Sequence, residues 1–209
     1  MNLKSILTSL LGDGVNCSST PQGEIQLQVD HLLYFPVAQS LLRNNIVPFE
    51  QLIDLTVVDL LFYGKSDWKT QKATMQGFSR AVLEKDFQHA QQPQRFELVT
   101  HFLSYKTNSR VRLKSFIPTT LEMMSLSELW PNADWHEREA FDLFGVIFKN
   151  HKDLRRILTD YGFVGFPFRK DFPVIGEVEL RYDYEQKRCI YEPTSIEDRT
   201  LTPKVIRQS

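Results

Sequence analysis

The sequence predicts an α+β fold: a small, mainly antiparallel sheet with flanking helices, followed by an extended C-terminal segment shaped to lie on another protein. Three observations carry this. Residues 96–117 read as a hairpin of alternating apolar and polar positions around a short turn. Two stretches, near 36–42 and 133–144, space their apolar residues for one helical face. After 150 the chain turns rich in Gly, Phe and Pro, too apolar for a free tail and too broken for a helix or plain strand. We divide the chain into residues 1–24, a helix and loop; 25–150, the α+β domain; and 151–209, the extended segment.

Residues 1–24 predict a short helix, then a loop of turn residues, DGVNCSSTPQGE. Ile25, Leu27 and Val29 alternate with Gln26 and Gln28, the period-2 pattern of a half-buried strand. From His31 to Asn45 a helix is expected, with Pro36 in its first turn and Val37, Ala38, Leu41 and Leu42 on one face. Residues 46–50 connect it to a β-branched strand region over Leu52–Tyr63. Gly64–Gln94 is polar and reads as an inserted excursion, with one weak helix through Phe78, Val82, Leu83 and Phe87.

The hairpin pairs Phe96–Tyr105 with Arg110–Ile117 across a turn at residues 106–109. Val111, Leu113 and Ile117 share one face of its second strand. Arg110, Arg112 and Lys114 share the other, a basic stripe that is either a nucleic-acid surface or a solvated sheet face. The near-zero net charge favours the solvated face. Ser125–Trp130 predicts a short helix. A second helix starts near Asp134, where Asp134 and Glu137 have capping-box spacing. Ala133, Ala140, Phe141 and Phe144 line one side, and Gly145 ends it. Arg138 and Asp142, one turn apart, are placed to pair.

The chain has 209 residues and a net charge of −1, which argues against a dedicated nucleic-acid binder. Its two cysteines, Cys17 and Cys189, supply neither a disulfide framework nor the four ligands an iron–sulfur cluster takes. No apolar run approaches the roughly 20 residues that span a bilayer. The first residues lack the features of secretory or transit peptides. The expectation is a protein acting on a reducing side, with any membrane link through a partner.

No stretch of the chain carries the residue pattern of a catalytic or metal-binding site. His136-Glu137-Arg138-Glu139-Ala140 lacks the second histidine of a zinc-protease helix. Glu137 and Glu139 are two apart and point to different sides, so helix capping and ion pairing explain them better than acid–base work. None of the five histidines has ligand spacing, and His151 is read as hydrogen-bonding the helix expected after it. Gly162 and Gly165 lack the Lys-Ser/Thr of a phosphate loop.

The run Glu137-Arg138-Glu139, then Asp142-Leu143-Phe144, His151, Arg155 and Ile157-Leu158 resembles the signature of the thirty-kilodalton subunit family of respiratory complex I, whose bacterial members are the C subunits of NADH-quinone oxidoreductase. The blocks LRRILTDYGF, RKDFP and ELRYD match it as well. The likeness covers residues 25–207 in organisation and is strongest from about 130 onward. Where the family has His-Pro this chain has His151-Lys152, and where it has Gly-His-Pro this chain has Gly165-Phe166-Pro167. A proton-handling role at 166 is therefore not expected.

The resemblance implies a non-catalytic structural subunit of the peripheral arm, with no cofactor or metal of its own. FMN, Fe–S clusters and quinone would lie on partner subunits. The D subunit (the forty-nine-kilodalton type) and the B subunit are the implied neighbours. It implies a peripheral position at the cytoplasmic side of a bacterial inner membrane, with the matrix side of the mitochondrial inner membrane as the alternative. An equivalent subunit of a membrane-bound hydrogenase or plastoquinone-reducing complex is the alternative function. Glu137, Arg138, Glu139, Asp142, His151, Arg155, Arg156, Tyr161, Phe163, Phe166, Arg169, Lys170, Asp171, Phe172, Arg181 and Tyr182 are the expected signature and interface residues. Aromatic side chains mixed with arginines are what interface cores favour, and Pro167 and Pro173 stiffen the path.

Overall fold

The computed structural model describes residues 3–12, 14–61, 63, 73–74, 77–78, 94–173 and 176–196. In chain order come α1 (Leu3–Leu11), β1 (Asn16–Ser19), β2 (Ile25–Val29), α2 (Tyr34–Leu42) and β3 (Gln51–Asp59). The short β4 (Ala73–Thr74) and β5 (Gly77–Phe78) follow, then β6 (Phe96–Ser104), β7 (Ser109–Phe116) and β8 (Glu122–Met124). The chain continues through α3 (Ala133–Phe144), β9 (Ile147–Lys149), β10 (Val178–Asp183) and β11 (Arg188–Pro193).

The main sheet has the order β1-β2-β7-β6-β3. Every neighbouring pair is antiparallel except β2 with β7, so the sheet is mainly antiparallel. Alternation sets which side chains enter the core. Leu27, Leu113, Thr100 and Leu55 lie side by side in register, and all are buried. A bulge between Leu52 and Asp54 lets Leu52 and Leu55 both face inward although they are three apart. Tyr34 of α2 reaches into this layer, where its hydroxyl hydrogen-bonds Thr100 Oγ1 at 2.8 Å.

The opposite sheet face carries the basic stripe, and two of its three charges are paired. Arg112 meets Glu24 at 2.8 Å and Lys114 meets Glu97 at 2.6 Å. That is the solvated-face reading of the stripe.

Several local expectations change. The loop after α1 contains β1, and Leu7 of α1 is fully buried in the main core, so the segment 1–24 is built into the domain. The strand expected over 52–63 is a single strand that starts at Gln51. Ser125–Trp130 is a hydrogen-bonded turn, closed by Trp130 N–H to Leu126 O, and not a helix. Its backbone is held at Leu126 N–H by Glu137 of α3. The Phe78–Phe87 helix falls mostly outside the described residues, and Phe78 itself lies in β5.

The chain forms two compact units, Met1–Leu61 with Gln91–Arg169, and Phe62–Ala90 with Lys170–Ser209. The first therefore runs past residue 150, the boundary drawn from sequence, to Arg169. The second includes the antiparallel hairpin β10–β11, in which Arg181 pairs with Glu192 and Tyr182 stacks edge-on with Tyr184.

Candidate functional site

Helix α3 is the scaffold. Asn132 precedes it without a side-chain cap bond, and its amide donates to Leu52 O at 2.7 Å, which ties α3 to β3. The capping box does not form. The helix begins a residue before Asp134, and Glu137 serves the 125–126 turn instead. Its carboxylate accepts from Ser125 Oγ and from Leu126 N–H, both at 2.6 Å. Asp134 lies against His151, 3.2 Å from Nε2.

The helix expected after His151 is absent among the described residues, and His151 bonds the start of α3 instead. Asp153 N–H donates to His151 Nδ1 at 3.1 Å. That nitrogen is therefore an acceptor, and the neutral ring carries its proton on Nε2. Nε2 points at the start of α3, 3.3 Å from Asp134 O and 3.9 Å from Glu137 Oε2. Among the described residues, no three His, Cys, Asp or Glu side chains form a metal site.

Burial pushes the Glu137 carboxyl up from its ordinary 4.5 to about 7, against the lowering effect of the Ser125 and Leu126 bonds and with help from nearby Asp134. An acid whose folded-state pKa is raised favours folding in its protonated form. Its contribution fades as pH rises from the unfolded value through the folded one. Stability to urea is expected to fall by about 2 kcal/mol between pH 5 and 8. Glu137→Gln, which keeps an acceptor for Leu126 N–H, is expected to flatten that decline. An unchanged slope in the variant would exclude Glu137 as its source.

Asp142 organises the loop after α3. Arg138, its expected partner one turn away, does not reach it. Oδ2 accepts three successive backbone N–H bonds, from Ile157 at 3.1 Å, Leu158 at 2.7 Å and Thr159 at 2.8 Å. Oδ1 accepts from the Thr159 hydroxyl and from Arg156 Nη1 at 3.1 Å. Burial opposes ionisation here, but these bonds outweigh it and draw the carboxyl down from 3.8 to about 2. Arg156 also donates to Gly165 O at 3.2 Å, bridging the loop to itself.

The loop closes back onto the end of the helix. Phe168 N–H donates to Leu143 O at 3.2 Å, and Arg169 Nε to Phe144 O at 2.6 Å. These carbonyls are among those a helix end leaves open. Gly145 takes the left-handed cap position at φ 79°. Phe166 lies between two guanidinium groups, 4.3 Å from Arg169 and 5.4 Å from Arg156. Phe163 lies 5.9 Å from Arg156. Thus Asp142, His151, Arg156, Phe163, Phe166 and Arg169 converge on one helix, through contacts within their own domain.

Glu139, Arg155 and Tyr161 are exposed, and Lys170, Asp171, Phe172, Arg181 and Tyr182 belong to the second unit. Leu158 is 63% exposed, Tyr161 96%, Val164 90% and Phe168 56%. Sequence reasoning missed Leu158 and Val164 as outward-facing, and Thr159 as a bond donor to Asp142. Nothing in their local pattern marks them, because the loop has no period to read.

Residues 27–178 match the family described as respiratory-chain NADH dehydrogenase, 30 Kd subunit. The chain is 50% identical over 187 residues to the C subunit of NADH-quinone oxidoreductase from Coxiella burnetii, covering 88% of this chain and 81% of that one. It is 45% identical to the protein of the same name from Legionella pneumophila strain Paris, covering 96% and 89%. Among solved structures it resembles a trypsin-resistant fragment of Nqo5, with a TM-score of 0.50, 20% identity, 74% coverage of this chain and 100% of that one. It also resembles a chain of an archaeal membrane-bound sulfane sulfur reductase, with a TM-score of 0.58, 20% identity, 81% coverage of this chain and 85% of that one. These two likenesses speak to the fold. With the match running through α3 and the loop after it, the chain belongs to the 30 Kd subunit family of respiratory-chain NADH dehydrogenases.

Proposed function

We propose that this chain is an architectural subunit in the peripheral arm of a proton-translocating NADH:quinone oxidoreductase, with no active site of its own. The observation that carries the reading is how its signature residues are used. Asp142, Arg156 and Arg169 hold a loop in one conformation, and that loop turns Leu158, Tyr161, Val164 and Phe168 outward. Large apolar side chains displayed from a fixed loop are characteristic of a docking surface. The fixed backbone lowers the entropy lost on association.

On this reading FMN, the Fe–S clusters and the quinone site belong to partner subunits, and electrons pass from NADH to quinone without visiting this chain. Its neighbours are the D subunit (the forty-nine-kilodalton type) and the B subunit, contacted by the loop and by the segment from Lys170 to Tyr182. No helix among the described residues is long and apolar enough to cross a membrane. The chain's membrane association runs through the complex, on the cytoplasmic side of the inner membrane.

A Tyr161→Ala, Val164→Ser double variant tests this. Both side chains are exposed, so the melting temperature of the separate subunit is expected to stay within about 2 °C of the parent. Recovery of the subunit with the membrane complex is expected to drop at least about tenfold. Full recovery would exclude the loop as a docking surface.

A further inference from the structure

Arg138 lies mid-way along α3 and is only 9% exposed. An arginine so buried normally faces a carboxylate, because desolvating an unpaired charge is costly. Two carboxylates occupy the positions one turn away where such pairs form, Asp134 and Asp142. Both are engaged elsewhere, Asp134 with His151 at 3.2 Å and Asp142 with Arg156 at 3.1 Å. Glu137 is held by Ser125 and Leu126. Arg138 Nε donates to Arg155 O at 3.2 Å, and its guanidinium carbon sits 5.3 Å from the centre of the Trp135 ring.

That leaves the two terminal amino groups of Arg138 without a carboxylate among the described residues. Neither is a buried atom lacking a partner, so the open side of the fork reaches the surface. Beside it Trp135 is 61% exposed. The neighbouring cation Arg155 is already matched by Asp153 at 2.9 Å, so the guanidinium with an open fork at this spot is that of Arg138. A pre-positioned guanidinium with its fork open suits a bidentate carboxylate. An exposed tryptophan beside an arginine is the composition of an interface hot spot.

We propose that Arg138 and Trp135 form a receptor for an aspartate or glutamate side chain of a neighbouring subunit, whose flanking apolar atoms pack on the indole. The proposal rests on the assembly role above, and its occupant is chosen by charge complementarity.

The test uses the full chain in the membrane-bound complex. With photoreactive benzoylphenylalanine replacing Trp135, irradiation is expected to join this chain to another subunit within a few residues of an Asp or Glu. In parallel, Arg138→Gln is expected to lower recovery with the complex about tenfold while the separate subunit melts close to the parent. Arg138→Lys, which restores the charge without the fork, is expected to recover part of the loss. Crosslinks confined to this chain, or to a partner segment with no acidic residue, would overturn the proposal. So would an Arg138→Gln variant whose lost recovery is matched by an equally unstable separate subunit. If the parent chain itself failed to co-purify with the oxidoreductase, the assembly role would fall first. If the parent assembles and the variant does too, this receptor alone is refuted.

Discussion

Replacing Gly145 with alanine is expected to destabilise the subunit by about 4 kcal/mol, the sum of two separate costs. The first is conformational, since Gly145 holds φ 79°, a left-handed geometry that a Cβ disfavours. The second is steric. A Cβ there would lie 2.5 Å from Arg169 Nη2 and 2.7 Å from Phe166 Cζ. Those atoms are the ends of the side chains that fold the loop back onto α3, so both side chains must shift to make room. Gly12 separates the two costs. It has φ 71° but nothing within 4 Å of the position a Cβ would take, so Gly12→Ala is expected to cost only about 1 kcal/mol. Urea denaturation of both variants makes the comparison. Equal losses would show that the Phe166–Arg169 contact is not tightly packed.

Asp142→Asn is expected to cost about 3–5 kcal/mol, the usual result of removing one partner of a buried ion pair. The shape is retained, but the group that accepts from Ile157, Leu158, Thr159 and Arg156 loses its charge. One of its oxygens becomes a donor facing other donors. Proteolytic cleavage within 151–169 is expected to accelerate more than cleavage elsewhere in the first unit. The pH dependence gives an independent readout. An acid whose folded-state pKa is depressed contributes stability that is complete above its unfolded value and lost as pH falls through the folded one. For Asp142 that window runs from about 4 down to about 2, below the window of Glu137. The parent should lose stability there and the variant should lack that component. A parent and variant with identical acid profiles would contradict the ionised, loop-holding carboxylate.

The family signature was legible because it is written in consecutive residues, but what those residues do was not. Asp142 and Arg138 have the spacing of a helical pair, and the fold gives each a different partner. Asp142 takes Arg156, fourteen positions on, because three amides of the loop converge on the same carboxylate and bring Arg156 with them. Asp134 and Glu137 have the spacing of a capping box. The turn at 125–126 competes for Glu137 and wins, offering two donors in a site closed to water. From sequence alone, residues 151–209 are expected to lie extended on a partner. Within the chain the first part of that segment packs on α3, where Phe166 and Arg169 fill the space that Gly145 leaves.

Fold class, the hairpin, the alternating strand β2, the stop at Gly145 and the family are all readable along the chain. Each of these depends on short-range periodicity, on the φ preference of a single residue, or on a contiguous motif. The tertiary structure alone decided the parallel pairing of β2 with β7, the partners of the buried charges, and which loop side chains face outward. Those outcomes depend on which distant groups compete for the same buried hydrogen bonds, and local spacing carries no record of that competition.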